Sequence, residues 1–236
     1  MSETARMWFE IILTLSYLAV LWVLVALMFR HLPALGDAQK PQARTALAAF
    51  VLLALGDTPH IVARVTAYAL GGLDARPVLF GQPLGIVGLG ALATSVTLTG
   101  FYVLLLRLWR QRFDRPYGWF GYVLLGAALV RLIIMLFPAN DWQSATSPPD
   151  WALYRNVPFL LLGLGTAYLF IRDGRAAQDH FAIRLGGLIL LSYAFYTPVF
   201  LLAHRVPALG MLMLPKTLAY GIVAWEAYRH LYRRAA

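Results

Sequence analysis

Residues 7–29, MWFEIILTLSYLAVLWVLVALMF, form the first long apolar stretch of the chain and decide its fold class. A helix rises about 1.5 Å per residue, so about 20 apolar residues are needed to cross a hydrocarbon core roughly 30 Å thick. The stretch exceeds that length, and no small-residue cleavage site lies before Arg30-His31. We therefore expect a retained transmembrane helix at this position, and not a signal peptide.

Further stretches of the same kind follow along the 236-residue chain, which is 60% hydrophobic and 13% charged. A soluble domain is about half apolar and about a quarter charged. The stretches lack the alternation of apolar and polar residues that is typical of β-barrel strands. The sequence therefore predicts an all-α bundle of seven transmembrane helices in a single domain, 1–236. The predicted helices lie near residues 7–29, 45–70, 84–108, 117–138, 151–171, 184–203 and 207–228.

Basic residues are unevenly distributed between the two sides of this bundle. One side has three, Arg6, Arg76 and Arg205. The other side has thirteen: Arg30, Lys40, Arg44, Arg107, Arg110, Arg112, Arg115, Arg172, Arg175, Arg184, Arg229, Arg233 and Arg234. Under the positive-inside rule the N-terminus lies outside and the C-terminus in the cytoplasm, as for a protein of the bacterial inner membrane. The net charge of +9 then reflects topology and membrane lipids as partners, and we expect no nucleic-acid binding.

The second predicted helix carries three ionisable side chains on one face. Asp57, His60 and Arg64 lie three and seven residues apart, and these offsets bring side chains to the same side of a helix. Charged groups at membrane depth face the bundle interior and usually have partners. Asp57 and His60 are the candidate catalytic pair, with His60 as general acid or base and Asp57 tuning its pKa.

Polar side chains on the other helices extend this stripe into a predicted cavity that opens away from the cytoplasm. Lys216 is predicted to lie near the midpoint of the seventh helix. The candidate ligand-binding residues are Arg64, Ser95, Thr99, Tyr102, Arg131, Arg155, Asn156, Tyr193, Tyr196, Lys216 and Tyr220.

The charge of this set favours an anionic ligand. Four basic groups, Arg64, Arg131, Arg155 and Lys216, face one central carboxylate, Asp57. A small anion or the headgroup of an anionic lipid would satisfy them. The alternative is that Asp57 pairs with Lys216 or an arginine, while the outer arginines reach the lipid headgroups.

Metal and thiol chemistry are not expected. The chain has no cysteine, and His60 has no second histidine at its depth in the predicted bundle. Prolines are expected to interrupt four helices and to act as hinges, at Pro59, Pro158, Pro198 and Pro215.

Two resemblances follow from these residues. Gly56-Asp57 and Gly88-Leu89-Gly90 resemble the early helices of lysoplasmalogenase-like membrane proteins, which implies a lipid hydrolase. That family has Ser-Asp where this chain has Ser192-Tyr193, and it has eight membrane spans where seven are predicted here. Seven helices and a lysine in the last one, Lys216, resemble the retinal-binding rhodopsins, which implies a Schiff base on Lys216 with Asp57 as counter-ion. Helix 3 has no carboxylate, however, and Leu212 lies one turn before Lys216.

Three short phrases, Gly-Asp-x-x-His, Tyr-Arg-Asn-x-Pro and Pro-Lys-Thr, are also similar to a family of uncharacterised bacterial seven-helix membrane proteins. This resemblance implies a fold but no activity.

Two functions are consistent with the pattern. The leading hypothesis is a membrane-embedded enzyme that acts on a lipid with an anionic headgroup. The other is a non-catalytic receptor or transporter that binds a small anion in the same cavity, without a cofactor, unless retinal is attached to Lys216.

Overall fold

A computed structural model describes residues 2–79 and 81–233 and shows an all-α bundle of seven helices, each long and apolar enough to span a membrane. The predicted fold class is confirmed. The helices are α1 (Glu3–His31), α2 (Lys40–Ala69), α3 (Ile86–Phe113), α4 (Gly118–Met135), α5 (Pro149–Ala176), α6 (His180–Leu202) and α7 (Met213–Tyr228). Arg234, one of the basic residues used to predict the orientation, lies outside the described residues.

Several helices extend beyond the predicted apolar stretches. For example, α2 begins at Lys40 where the hydrophobic pattern predicted residue 45, and α3 continues to Phe113 where it predicted residue 108. The prediction followed hydrophobicity, whereas helical hydrogen bonding continues into polar residues at the membrane surface. By contrast, α4 ends at Met135, before the predicted residue 138, because Pro138 begins a 3₁₀ turn there.

The last span is a composite of three helical types. A 3₁₀ segment, Pro207–Leu212, precedes α7, and a π-helical turn, Arg229–Arg233, follows it. Lys216 therefore lies in the first turn of α7, and the prediction that it lies near the midpoint of the helix was wrong. Pro215 also lies in this first turn, where the backbone N–H groups have no partner in the helix, so it does not interrupt α7 as predicted.

The connection between α2 and α3 contains a short antiparallel hairpin that the sequence pattern did not predict. Its strands are β1 (Val78–Leu79) and β2 (Gln82–Pro83). Each strand has two residues, which is too short for a detectable period in hydrophobicity.

The helices close into a bundle in which α1 packs against both α2 and α7. Consecutive helices pack against one another along the chain, and α3 also contacts α5. We call the end at which α1, α3, α5 and α7 begin the site end, and the opposite end the far end.

Small residues allow α2 and α3 to approach closely beside the candidate site. A Cβ atom on Gly56 would overlap the side chain of Thr97, and one on Gly90 would lie 2.9 Å from the Cα atom of His60. Close contact at small residues is a common way to pack membrane helices. It also places Asp57 directly opposite Thr94 of α3.

The far end is held together by charged side chains with partners. The buried carboxylate of Asp173 accepts a hydrogen bond from Trp109 Nε1 at 2.9 Å and pairs with Arg172. Asp179 pairs with Arg112 and caps α6 by accepting from two backbone amides. Burial alone would raise the pKa of Asp179, but the hydrogen bonds that its carboxylate accepts outweigh that effect and lower the pKa below its usual value of 3.8.

The packing of α2 on α3 predicts that replacing a glycine at this interface lowers the stability of the protein more than replacing a glycine outside it. Gly56→Ala is expected to lower the free energy of unfolding by about 1–3 kcal/mol, because the new methyl group overlaps Thr97. In the control, Gly126→Ala in α4, the methyl group meets nothing within 4 Å, and helix propensity predicts no loss or a gain of up to about 1 kcal/mol. Reversible SDS unfolding in mixed micelles measures both values. Equal effects would contradict the close approach of α2 and α3.

Candidate functional site

The site end of the bundle contains a cavity of about 360 Å³ that is lined by residues from all seven helices. This volume falls within the range of small-molecule pockets, roughly 300–1,000 Å³. The cavity extends to Arg6 and Gly210, which are partly exposed at the end of the bundle. A small molecule or a lipid headgroup would therefore fit inside it.

Most of the residues predicted from the sequence line this cavity. The lining residues among them are Asp57, His60, Arg64, Ser95, Arg131, Arg155, Tyr196, Lys216 and Tyr220. The remaining candidates, Thr99, Tyr102, Asn156 and Tyr193, are buried behind the wall.

Three of these four buried residues hydrogen-bond to residues that line the cavity, and the fourth, Tyr193, bonds to Phe159 behind it. Their hydrogen bonds are Tyr102 with Tyr220 (2.9 Å between hydroxyl oxygens), Tyr196 to Asn156 Oδ1 (2.6 Å), Tyr193 to the Phe159 carbonyl (2.9 Å) and Thr99 to the Ser95 carbonyl (2.8 Å). These bonds fix aromatic rings and backbone behind the cavity wall. The four residues do not themselves line the cavity.

Asp57 is held by two hydroxyl groups from neighbouring helices. Tyr17 of α1 donates to one carboxylate oxygen at 2.8 Å, and Thr94 of α3 donates to the other at 2.7 Å. Across residues 2–79 and 81–233, Asp57 forms no ion pair, so the alternative in which it pairs with Lys216 or an arginine is absent. Tyr17 and Thr94 were not predicted as site residues, because isolated hydroxyl groups in membrane helices carry little signal.

His60 lies on the same face of α2 but is not hydrogen-bonded to Asp57. Its Nδ1 atom is buried and has no hydrogen-bond partner among the described residues. A buried polar atom without a partner is uncommon and requires an explanation. The two residues of the predicted catalytic pair therefore face one cavity without forming a linked pair.

Arg64 has a partner that the sequence analysis missed. Its guanidinium pairs with Glu10 of α1, with 2.5 Å between Nη2 and Oε1, and Tyr68 donates to the second oxygen of Glu10 at 3.0 Å. Glu10 lies within the predicted span 7–29, so an acid inside an apolar stretch was the available signal. Among the described residues, Arg64 therefore has an ion-pair partner, unlike Arg131, Arg155 and Lys216.

Arg131 is the most deeply buried basic residue of the cavity. Its side chain is 2% exposed, and the guanidinium carbon lies 3.6 Å from the ring centre of Phe159, a cation–π contact. Its Nε and Nη1 atoms are buried and find no hydrogen-bond acceptor in the described part of the chain. The structure thus buries a charged guanidinium beside the cavity with two donor atoms that have no acceptor among the described residues.

Arg155 and Lys216 complete what we call the basic wall, defined as Arg131, Arg155 and Lys216. Arg155 donates to Asn140 Oδ1 at 3.2 Å and to Ser147 Oγ at 2.7 Å, which fixes its guanidinium. Lys216 is 8% exposed, and its ammonium lies 4.4 Å from the ring centre of Tyr196. Because Lys216 is in the first turn of α7, the positive end of the helix dipole adds to its charge.

The positive charge of the cavity, to which the basic wall contributes most, exceeds its negative charge. None of its three residues forms an ion pair in the ranges that the structure describes. Five basic side chains and two carboxylates line the whole cavity, which leaves a formal excess of three positive charges. Bidentate arginines and a lysine point charge are the groups that proteins use to bind phosphate and carboxylate.

Replacing Arg131 tests whether its charge serves the fold or a ligand. We expect Arg131→Met to lower the free energy of unfolding of the ligand-free protein by no more than about 0.5 kcal/mol, because it removes an uncompensated buried charge. Arg112→Met at the far end leaves Asp179 without its partner and is expected to cost about 1–3 kcal/mol. SDS unfolding in mixed micelles compares the two variants. A larger loss for Arg131→Met than for Arg112→Met would give Arg131 a structural role.

Comparisons with protein-family models, with curated proteins and with solved structures found no match for this chain. The geometry and charge of the cavity are therefore the basis for a functional conclusion.

Proposed function

We propose that this membrane protein is a receptor or transporter that binds a small organic anion, through a phosphate or carboxylate group, in the cavity at its site end. The observation that carries the proposal is the basic wall: Arg131, Arg155 and Lys216 converge from three helices without an ion pair in the described residues. Among the buried charged side chains of the described residues, Arg131 and Lys216 are the two without an ion pair.

Burial of these charges in an apolar environment is costly. Insertion scales give about 2.5–3.5 kcal/mol for a charged side chain at the centre of a bilayer, which is an upper bound for Arg131, Arg155 and Lys216 because they lie toward the site end of their helices. Hydrogen bonds and cation–π contacts offset part of that cost for Arg155, Arg131 and Lys216. A bound anion would supply a counter-charge to the basic wall, and a phosphate dianion would offset most of the excess charge.

Three prolines give the cavity the means to open and close. Pro59, Pro158 and Pro198 lie inside α2, α5 and α6, each within three residues of a residue that lines the cavity. A proline inside a helix removes one hydrogen bond and kinks the axis, which makes it a suitable hinge. With the orientation predicted from the positive-inside rule, the ligand would enter from the side opposite the cytoplasm.

A second candidate is an enzyme acting on a lipid with an anionic headgroup, as the sequence analysis proposed first. His60 favours it, because this ionisable side chain lines the cavity and its Nδ1 atom has no hydrogen-bond partner among the described residues. Asp57 and His60 would then act separately, since no hydrogen bond joins them. The lysoplasmalogenase resemblance and a retinal Schiff base on Lys216 stay predictions.

The test is isothermal titration of the purified protein in detergent with glycerol phosphate and with acetate. We expect wild type to bind at least one of them, and Arg155→Met and Lys216→Met to weaken binding by about tenfold or more, because each removes a charged donor. His60→Ala is expected to change the affinity less than about twofold. Arg205→Met is the control, since Arg205 is exposed at the same end and does not line the cavity.

Two results would contradict binding as the function. One is that wild type binds neither anion, or that Arg205→Met weakens binding as much as Lys216→Met does. The other is turnover of an anionic phospholipid by wild type, detected by mass spectrometry, that His60→Ala abolishes; this result would establish the enzyme.

A further inference from the structure

The cavity also contains negative charge beside its basic wall. Its two carboxylates are Glu10 and Asp57, and Glu10 is paired with Arg64. Among the described residues, Asp57 is thus the carboxylate that faces the cavity without an ion pair. A site built only to hold an anion gains nothing from an unpaired carboxylate in its wall.

Asp57 retains the capacity to bind a further group. Each of its oxygens accepts one hydrogen bond, from Tyr17 or from Thr94, whereas an ionised carboxylate has about four acceptor positions. Its side chain is partly accessible although it lies within the bundle, because it borders the cavity. The two hydroxyl donors fix its orientation and leave acceptor positions for a ligand.

The surroundings of Asp57 suit the cationic end of a ligand. His60 of α2 and Ser95 of α3 also line the cavity and add polar side chains to it. The basic wall comes from α4, α5 and α7, whereas Asp57 comes from α2 and is held by α1 and α3. The carboxylate without an ion pair and the basic wall therefore come from different helices around one cavity.

We propose that the ligand is a zwitterion: an anion whose phosphate or carboxylate binds the basic wall and whose ammonium group binds Asp57. The inference rests on the proposed function. Ethanolamine phosphate has this chemistry, as a free ester or as the headgroup of a phospholipid. Asp57 then acts as the selectivity residue, since without it the positive excess of the cavity repels an ammonium group.

The competing explanation is that Asp57 only reduces the positive charge of the cavity. In that case its removal strengthens the binding of every anion by the same factor, whether or not the anion carries an amine. A zwitterion site behaves differently, because loss of Asp57 weakens the binding of the amine-bearing anion alone.

The experiment titrates the full-length protein in detergent with ethanolamine phosphate and with glycerol phosphate, two monoesters of similar size. Wild type is expected to prefer ethanolamine phosphate by about tenfold, as a charged hydrogen bond predicts. Asp57→Asn is expected to lose this preference while keeping or increasing its affinity for glycerol phosphate. Asp150→Asn removes an exposed carboxylate from the same end of the bundle and should leave the preference unchanged.

Wild type alone keeps the proposal testable even if Asp57→Asn does not fold. N-acetylethanolamine phosphate keeps the phosphate but lacks the charged amine, and it should bind about as weakly as glycerol phosphate. Equal affinities for all three esters would overturn the zwitterion site and leave anion binding intact. Binding of none of them would overturn the proposed function as well.

The source of the zwitterion is distinguished by a further titration with dihexanoyl phosphatidylethanolamine. A lipid that binds at least as tightly as the free ester supports a headgroup site reached from the membrane. Binding of the free ester alone supports a water-soluble zwitterion. A preference that persists in Asp57→Asn for either compound would contradict the role of Asp57.

Discussion

The cost of placing charge in an apolar environment governs the arrangement of this bundle. Ionisable side chains on α2, α4, α5 and α7 turn inward, since exposure to hydrocarbon would cost several kcal/mol for each of them. At the far end this demand is met within the chain, where Asp173 and Asp179 pair with arginines. At the site end the basic wall has no ion-pair partner within the described residues, and the resulting imbalance of charge is the basis of the proposed function.

Close packing of α2 on α3 determines where this charge is placed. Gly56 and Gly90 let the two backbones approach, so that Thr94 reaches Asp57 across the interface. Pro59 lies inside α2 between Asp57 and His60, a position at which a proline removes a helical hydrogen bond and favours a kink. Asp57 is held in place by its two hydrogen bonds. The prolines inside α2, α5 and α6 are the proposed hinges.

Much of the fold could be predicted from the sequence, because hydrophobic length and the helical period depend on nearby residues only. The same period brought Asp57, His60 and Arg64 to one face, and all three line the cavity. Partners on distant helices could not be predicted this way. Tyr17 lies 40 residues from Asp57, and Glu10 lies 54 residues from Arg64, so these contacts depend on the packing of whole helices. The predicted position of Lys216 within its helix was wrong, because hydropathy does not distinguish a 3₁₀ segment from an α-helix.

The most direct test of the uncompensated basic wall is an experimental structure of the protein crystallised with tungstate, an anomalously scattering tetrahedral anion. We predict an anomalous peak within hydrogen-bonding distance of Arg131, Arg155 and Lys216, and loss of that peak in Lys216→Met. A cavity without a peak at saturating tungstate, or a structure in which Asp57 closes an ion pair with Lys216, would contradict it.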